Sequence, residues 1–109
     1  MAPVTRKVLF REGQIVRHVR YGYRGVVVGC DRTCQADDTW YDFQVQGKDY
    51  RPTKDQPWYH VLVDESVRQT YVAQQNLEAG DSTRPIHHPL IHHYFNAFQG
   101  GSYHRPSWN

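Results

Sequence analysis

The stretch of residues 56–64, QPWYHVLVD, constrains the fold more than any other part of this chain. Successive side chains of a β-strand point to opposite faces, so Tyr59, Val61 and Val63 share one apolar face while the other face mixes apolar and polar groups. A proline is tolerated at the first residue of a strand or at a sheet edge. The stretch therefore predicts a strand that begins near Trp58 and forms the centre of a small sheet.

Two predicted hairpins flank this strand. Residues 14–20 form a strand candidate, residues 21–25 are a glycine-punctuated turn, and residues 25–30 are an apolar run typical of a strand buried on both faces. After the central strand, residues 70–73 read as a strand that pairs back on it, and Leu77 is expected in the core. The pattern predicts a mainly β fold.

The other long segments are less regular. Residues 31–55 are interrupted by polar residues and are interpreted as a long inserted loop of about 25 residues, with residues 40–43 forming an anchoring turn over the core. Apolar residues recur at helical spacing over about residues 88–98, with Pro89 near the start and Gly100 as a stop. One short C-terminal helix is therefore predicted.

Length and composition limit the class of protein. A chain of 109 residues accommodates one domain, so residues 1–109 are predicted to form a single unit with an ordered core from about residue 8 to 99. The formal net charge of +2 is too small for a dedicated nucleic-acid packing protein. The sequence has no apolar run long enough for a membrane span and no secretory signal, so a cytoplasmic protein is expected.

Residues with the potential for catalysis or metal binding do not form a recognisable set. Cys30 and Cys34 lack the spacing of a redox or zinc motif and are interpreted as ordinary thiols, the alternative being a site completed by a histidine. Four histidines near the C-terminus lack the acidic partner of a metalloprotease motif and are interpreted as a solvated helix face rather than metal ligands: His87, His88, His92 and His93. We therefore predict neither an enzyme nor a metal or other cofactor.

Five segments, taken in order, resemble the YccV-like domain family, which includes the bacterial heat-shock protein HspQ and the C-terminal domain of an F-box protein subfamily. They are Gln14-x-Val16-Arg17-His18, Tyr21-Gly22-Tyr23-x-Gly25-Val26-Val27, residues 56–62, Tyr71-Val72-Ala73-x-x-Asn76-Leu77 and His88-Pro89. The resemblance runs from about Phe10 to Tyr103. It implies a small SH3-like β-barrel. It also implies either binding to hemimethylated DNA or a role as adaptor or modulator of ATP-dependent proteolysis in stress and protein quality control.

A set of basic and aromatic residues supplies the nucleic-acid candidates. Cations neutralise phosphates and aromatic rings stack on exposed bases, and both kinds of residue alternate along the first hairpin. The alternative is an ordinary solvated face with tyrosines covering the core. The candidates are Arg17, His18, Arg20, Tyr21, Tyr23, Arg24, Lys48, Arg51 and Lys54.

A second set of aromatics supplies the protein-binding candidates, which are Trp40, Tyr41, Trp58 and Tyr59. Small barrels leave edges and grooves where an extended peptide can dock. For Trp58 the alternative is a tryptophan that closes one end of the barrel. The first expected partner is a Lon- or Clp-type protease or its substrates. Duplex DNA is the second. Self-association through an exposed edge is a further expectation.

Overall fold

The structure, a computed structural model, describes residues 7–47 and 51–105. Seven β-strands are present in this part of the chain: β1 Ile15–His18, β2 Arg24–Asp31, β3 Trp58–Val63, β4 Gln69–Ala73, β5 Leu77–Ala79, β6 Ala97–Gln99 and β7 Ser102–His104. The helices are α1 Asp38–Val45 and α2 Ile91–Tyr94, with a 3-10 turn at Gln74–Asn76. Neither α-helix of the described residues has the length and apolar character needed to cross a membrane.

Strands β1 to β5 form one antiparallel sheet in the order β4-β3-β2-β1-β5. The predicted hairpins β1–β2 and β3–β4 are both confirmed, and β3 begins at Trp58 as expected. It lies inside the sheet between β4 and β2, although β2 rather than β3 is the middle strand. The pairing of β2 with β3 shifts register between Val27 and Gly29. The mainly β prediction is thus confirmed.

Apolar side chains cover both faces of the sheet, which explains why the run Val26 to Val28 shows no alternation. One cluster packs under the C-terminal segment and comprises Ile15, Val26, Val28, Leu62, Ile86, Ile91, Phe95 and Tyr103. The other lies on the opposite face and comprises Val16, Val27, Tyr59, Val61, Val72 and Leu77. The expected burial of Leu77 is therefore confirmed.

The prediction of a helix over about residues 88–98 is wrong in extent. Helix α2 has four residues, and Ala97–Gln99 belongs to β6, which pairs with β7. Gly100 and Gly101, at φ 61° and 77°, form the turn between these strands, because consecutive glycines accept the positive φ values of a tight hairpin. Tyr103 on β7 is buried, so the packed core continues beyond residue 99.

The segment predicted as a long loop contains a helix. Asp37 accepts a hydrogen bond from the Trp40 amide at 2.8 Å and caps α1. An N-terminal carboxylate of this kind stabilises the first turn by satisfying a free backbone donor. The predicted anchoring turn at residues 40–43 is thus part of an eight-residue helix.

Candidate functional site

A groove of about 720 Å³ brings aromatic residues from both predicted sets to one place. One wall is the β1–β2 hairpin, with Tyr21 and Tyr23, and the other is α1, with Trp40 and Val45. The strand β4 contributes residues along its whole length, from Gln69 to Ala73. We name this cavity the β4 groove.

The α1 wall is built from aromatic rings at steep angles. The ring of Trp40 lies 5.7 Å from that of Tyr71 and 6.2 Å from that of Trp58, at interplanar angles of 62° and 72°. Trp58 is only 4% exposed, and its ring N–H donates to the Thr53 carbonyl at 3.2 Å. Its burial favours the interpretation of a tryptophan that closes the core over one that faces solvent. Trp58 supports the wall while Trp40 and Tyr71, both half-buried, form its surface.

A hydrogen-bond network fixes the Tyr71 ring. Its hydroxyl donates to Asp31 Oδ2 at 2.7 Å and accepts from the Gln35 amide at 3.0 Å. His60 stacks on the same ring at 4.6 Å, and its Nε2 lies 3.4 Å from Asp31 Oδ2. Burial, followed by the hydrogen bond to Asp31, holds the pKa of Tyr71 far above its ordinary value. The Tyr71 hydroxyl is therefore held in its protonated form, and its hydrogen bonds fix the orientation of the ring.

The hairpin wall depends on a buried histidine. His18 Nδ1 accepts hydrogen bonds from the amides of Arg20 and Tyr21, both at 3.1 Å. Tyr21, 59% exposed, stacks on the His18 ring with centroids 4.5 Å apart, and the Tyr23 hydroxyl hydrogen-bonds with Thr70 at 2.9 Å. His18 thus holds the turn, and Tyr21 is the ring that this wall presents to solvent.

Arg24, predicted to contact nucleic acid, lies in an internal network instead. Its guanidinium donates to Asp64 Oδ2 at 2.9 Å, and its side chain is 10% exposed. It also donates to the backbone carbonyls of Asp81, Arg84 and Pro85. A buried arginine with these partners is a structural tie between the sheet and the C-terminal segment, because four hydrogen bonds already occupy its two terminal nitrogens.

The other basic candidates differ in their surroundings. Arg17, Arg20 and Arg51 are exposed, and Arg17 forms an ion pair with Glu78 at 3.2 Å. Lys54 forms one with Asp38, the first residue of α1. The predicted Lys48 lies outside the described residues. Arg17 and Arg20 are therefore exposed cations on the hairpin that also carries Tyr21.

Arg68 is a groove residue that the sequence did not reveal. Burial raises the pKa of Tyr23, and the hydrogen bond with Thr70 and the charge of Arg68 oppose this rise. Arg68 and Tyr23 both line the groove. A lone arginine in a polar turn carries no motif. Only the pairing of β3 with β4 places it beside the first hairpin.

Two protein-binding candidates lie away from the groove surface. Tyr59 is wholly buried in the core, where its hydroxyl donates to Gln74 Oε1, and the residues that line the groove do not include it. Tyr41 is half-buried behind the wall and donates to the Pro52 carbonyl. Alternation places Trp58 and Tyr59 on opposite faces of β3. Because both faces are covered, alternation alone does not show which of the two rings reaches the groove.

The C-terminal histidines do not gather into a ligand set. His88 is buried, accepts from the Leu90 amide through Nδ1 at 3.1 Å, and donates from Nε2 to the Arg68 carbonyl at 3.0 Å. It precedes α2, so it does not share a helix face with His92 as predicted. Within residues 7–47 and 51–105, no three His, Cys, Asp or Glu side chains are placed to hold a metal ion. His88 ties the C-terminal segment to the β3–β4 turn.

Sequence comparisons identify relatives across almost the whole chain. Residues 8–102 match the family described as "Hemimethylated DNA-binding protein YccV like". The chain is similar to F-box only protein 21 of Homo sapiens and of Pongo abelii, with 36% identity over 99 residues in each, and to that of Mus musculus with 35%. These alignments cover 90% of this chain but only 15 or 16% of the relatives. The chain thus spans about one sixth of their length.

Proposed function

Because the chain belongs to the YccV-like family, we propose that it is a non-enzymatic DNA-binding module with a preference for hemimethylated duplex DNA. The observation that carries this proposal is the basic and aromatic surface of the β1–β2 hairpin. Arg17 and Arg20 are exposed there, and the exposed ring of Tyr21 lies between them and the β4 groove. Such a surface combines phosphate neutralisation with a platform for stacking.

The electrostatics of the adjoining groove agree with an anionic ligand. Among the described residues that line it, none is Asp or Glu, whereas Arg68 contributes a positive charge. A polyanion therefore meets no like charge in the groove itself. The Arg17–Glu78 ion pair is half-exposed, with 45% and 48% of the two side chains accessible, so phosphate can compete for this guanidinium at low cost.

A salt-dependent titration tests the proposal. Hemimethylated and unmethylated duplexes of one sequence are titrated into wild type, the Arg17→Gln/Arg20→Gln variant and the control Arg105→Gln, which lies beside Glu12. Each lost phosphate contact should reduce the slope of log affinity against log salt by about 0.9, so the double variant should lose roughly 1.8. The control should keep the wild-type slope.

Two outcomes would refute this proposal. Equal slopes for the double variant and wild type would show that the hairpin does not contact phosphates. Equal affinities for the hemimethylated and unmethylated duplexes would remove the stated preference.

A protein-adaptor role in regulated proteolysis is the second candidate. It is favoured by the α1 wall, where Trp40 and Tyr71 present neutral aromatic surface of the kind found at binding hot spots. Pull-down with a Lon- or Clp-type protease should weaken for Trp40→Ala and stay unchanged for Phe43→Ala, since Phe43 is 72% exposed and does not line the groove. Equal recovery of the protease with both variants would rule out this wall as the contact.

We also propose that the five-stranded sheet curls into the SH3-like barrel that the family resemblance implies. Strands β4 and β5 stand at opposite ends of the sheet order, yet only the three-residue turn Gln74–Asn76 separates them along the chain. The Asn76 carbonyl also accepts from the Val19 amide, just beyond β1, at 2.9 Å. The short β4–β5 connection requires strong curvature of the sheet, which supports a barrel-like arrangement, whereas the Val19–Asn76 hydrogen bond extends the β1–β5 ladder.

A further inference from the structure

The edge of strand β4 combines three properties of a peptide-binding site. Within residues 7–47 and 51–105, β4 pairs with β3 alone and forms one end of the sheet. Alternate residues of such an end strand direct their backbone N–H and C=O groups away from the sheet. A further strand can pair with these groups unless a side chain or loop covers them.

The β4 groove follows this edge. Gln69 and Tyr71 point to one face of the sheet and Thr70 and Val72 to the other, because side chains alternate along a strand. All four residues line the same groove. A groove lined by consecutive residues of both faces runs along the strand edge between them, although the Val72 side chain itself packs in the core.

The dimensions suit an extended peptide. Strand β4 has five residues, equivalent to about 17 Å at a rise of roughly 3.3 Å per residue. The groove of about 720 Å³ is bounded by α1 on one side and by the β1–β2 hairpin on the other. A single added strand therefore has a wall on each of its faces.

Charge selects the kind of peptide. Arg68 directly precedes β4 and lines the groove. Alternation along the chain puts it on the same side as Thr70, whose hydroxyl hydrogen-bonds with Tyr23 of the hairpin at 2.9 Å. The described lining contains no carboxylate. An acidic side chain of the peptide is thus favoured on this side. On the opposite side, an apolar side chain of the peptide can pack against the rings of Trp40 and Tyr71.

We propose that the edge of β4 binds an extended peptide of alternating acidic and apolar residues, which adds to the sheet as a sixth strand. Its backbone pairs with β4. Its apolar side chains lie against Trp40 and Tyr71, and an acidic side chain pairs with Arg68. This site is separate from the proposed phosphate contacts of Arg17 and Arg20.

Fluorescence anisotropy with end-capped, labelled six-residue peptides tests this proposal. One peptide alternates glutamate and valine, a second alternates lysine and valine, and a third is the glutamate peptide with every second amide N-methylated, in both possible registers. We expect the glutamate peptide to bind at least tenfold more tightly than the lysine peptide. One N-methyl register should lose binding, because it lacks the backbone donors that face β4.

Variants locate the site on the protein. Arg68→Glu should reverse the preference between the two charged peptides, and Trp40→Ala should weaken binding of the glutamate peptide at least tenfold. Phe43→Ala, on the same helix but outside the groove lining, is the matched control and should bind as wild type. Circular dichroism of each variant verifies the fold.

Three results would overturn the proposal: no binding of the glutamate peptide, equal binding of both N-methylated registers and the unmodified peptide, or equal binding by wild type and Trp40→Ala. A concentration-dependent dimer in sedimentation that excludes the peptide would assign the edge to a second copy of the chain instead. The DNA titration uses Arg17 and Arg20, which the peptide argument does not, so either proposal can fail without the other.

Discussion

The guanidinium of Arg24 on β2 lies 2.9 Å from the carboxylate of Asp64, which directly follows β3. Both side chains are about one tenth exposed. Burial raises the pKa of Asp64, but hydrogen bonds from the His87 amide and from Arg24 outweigh it, and the pKa lies below its usual range. The ion pair thus joins the sheet to the C-terminal segment. It also makes the stability of the folded protein depend on pH.

Asp64→Asn should therefore destabilise the protein in a pH-dependent way. A carboxyl group whose pKa is depressed in the folded state contributes its full stabilisation of the protein above its unfolded-state pKa, which is about 4. This stabilisation is lost as the pH falls through the folded-state pKa. We expect a loss of about 2 to 3 kcal/mol at pH 7 and a smaller difference at pH 3, measured by urea unfolding. Glu78→Gln, which removes the exposed pair with Arg17, should cost less than about 1 kcal/mol. Equal losses at both pH values would contradict the prediction.

Tyr59→Phe should loosen the N-terminal segment. The Tyr59 hydroxyl accepts from the amides of Leu9 and Phe10 at 3.2 Å each and donates to the Gln74 side chain. Its removal leaves buried polar groups with fewer partners, at a cost of about 1 to 3 kcal/mol. Hydrogen exchange should accelerate at both amides, whereas Tyr21→Phe, at an exposed ring, should leave them unchanged. Unaltered exchange in Tyr59→Phe would show that other contacts hold this segment.

Gly25→Ala should be strongly destabilising. A Cβ atom at this position would lie 2.4 Å from Val61 Cγ1 and 2.6 Å from the Leu62 carbonyl oxygen, so the β2–β3 pairing would have to shift. Overpacking of this kind costs about 3 kcal/mol. Gly29→Ala on the same strand meets the His60 ring at 3.2 Å, and this half-exposed side chain can rotate away. Thermal unfolding that gave equal losses for both variants would refute the steric explanation.

The thiol of Cys30 should react slowly at neutral pH although the residue is exposed. Burial of the thiol raises its pKa, and the charge of Asp31 raises it further. Since the thiolate is the nucleophile, the alkylation rate should reach half its maximum at a higher pH than for a cysteine in a short peptide. Iodoacetamide labelling of Cys34→Ser, followed by mass spectrometry, measures this midpoint. A midpoint at or below that of the peptide would contradict the assignment.

The strands were predictable because local patterns agree with the tertiary contacts. Alternation placed the start of β3, and glycine turns placed the β1–β2 hairpin. The helix prediction for residues 97–99 is wrong because apolar spacing compatible with one helical face also fits a short hairpin, and because Gly100 suits a hairpin turn as well as a helix stop. Helix α1 was missed because its apolar stripe is short and its clearest signal is the Asp37 cap.

The candidate site was only partly predictable. Trp40 and Tyr21 were singled out as aromatic residues near charged ones, and the structure places both on the β4 groove. Arg24 and Tyr59 were misjudged, because the sequence does not show which side chains find internal partners. Arg68 carries no sequence motif, and it lines the groove together with Tyr23 because β4 pairs with β3 and β3 pairs with β2.

The connection that contains α1 leaves the sheet at Asp31 and returns at Trp58, and these two residues face each other in the β2–β3 ladder. An insertion whose two ends are facing residues of one strand pair can change in length without altering the register of the strands. Its entropic cost grows by only about 0.6 kcal/mol for each doubling of length. The segment with α1, which forms one wall of the β4 groove, can therefore be replaced in evolution while the sheet is kept. Such a replacement would change which ligands fit the groove.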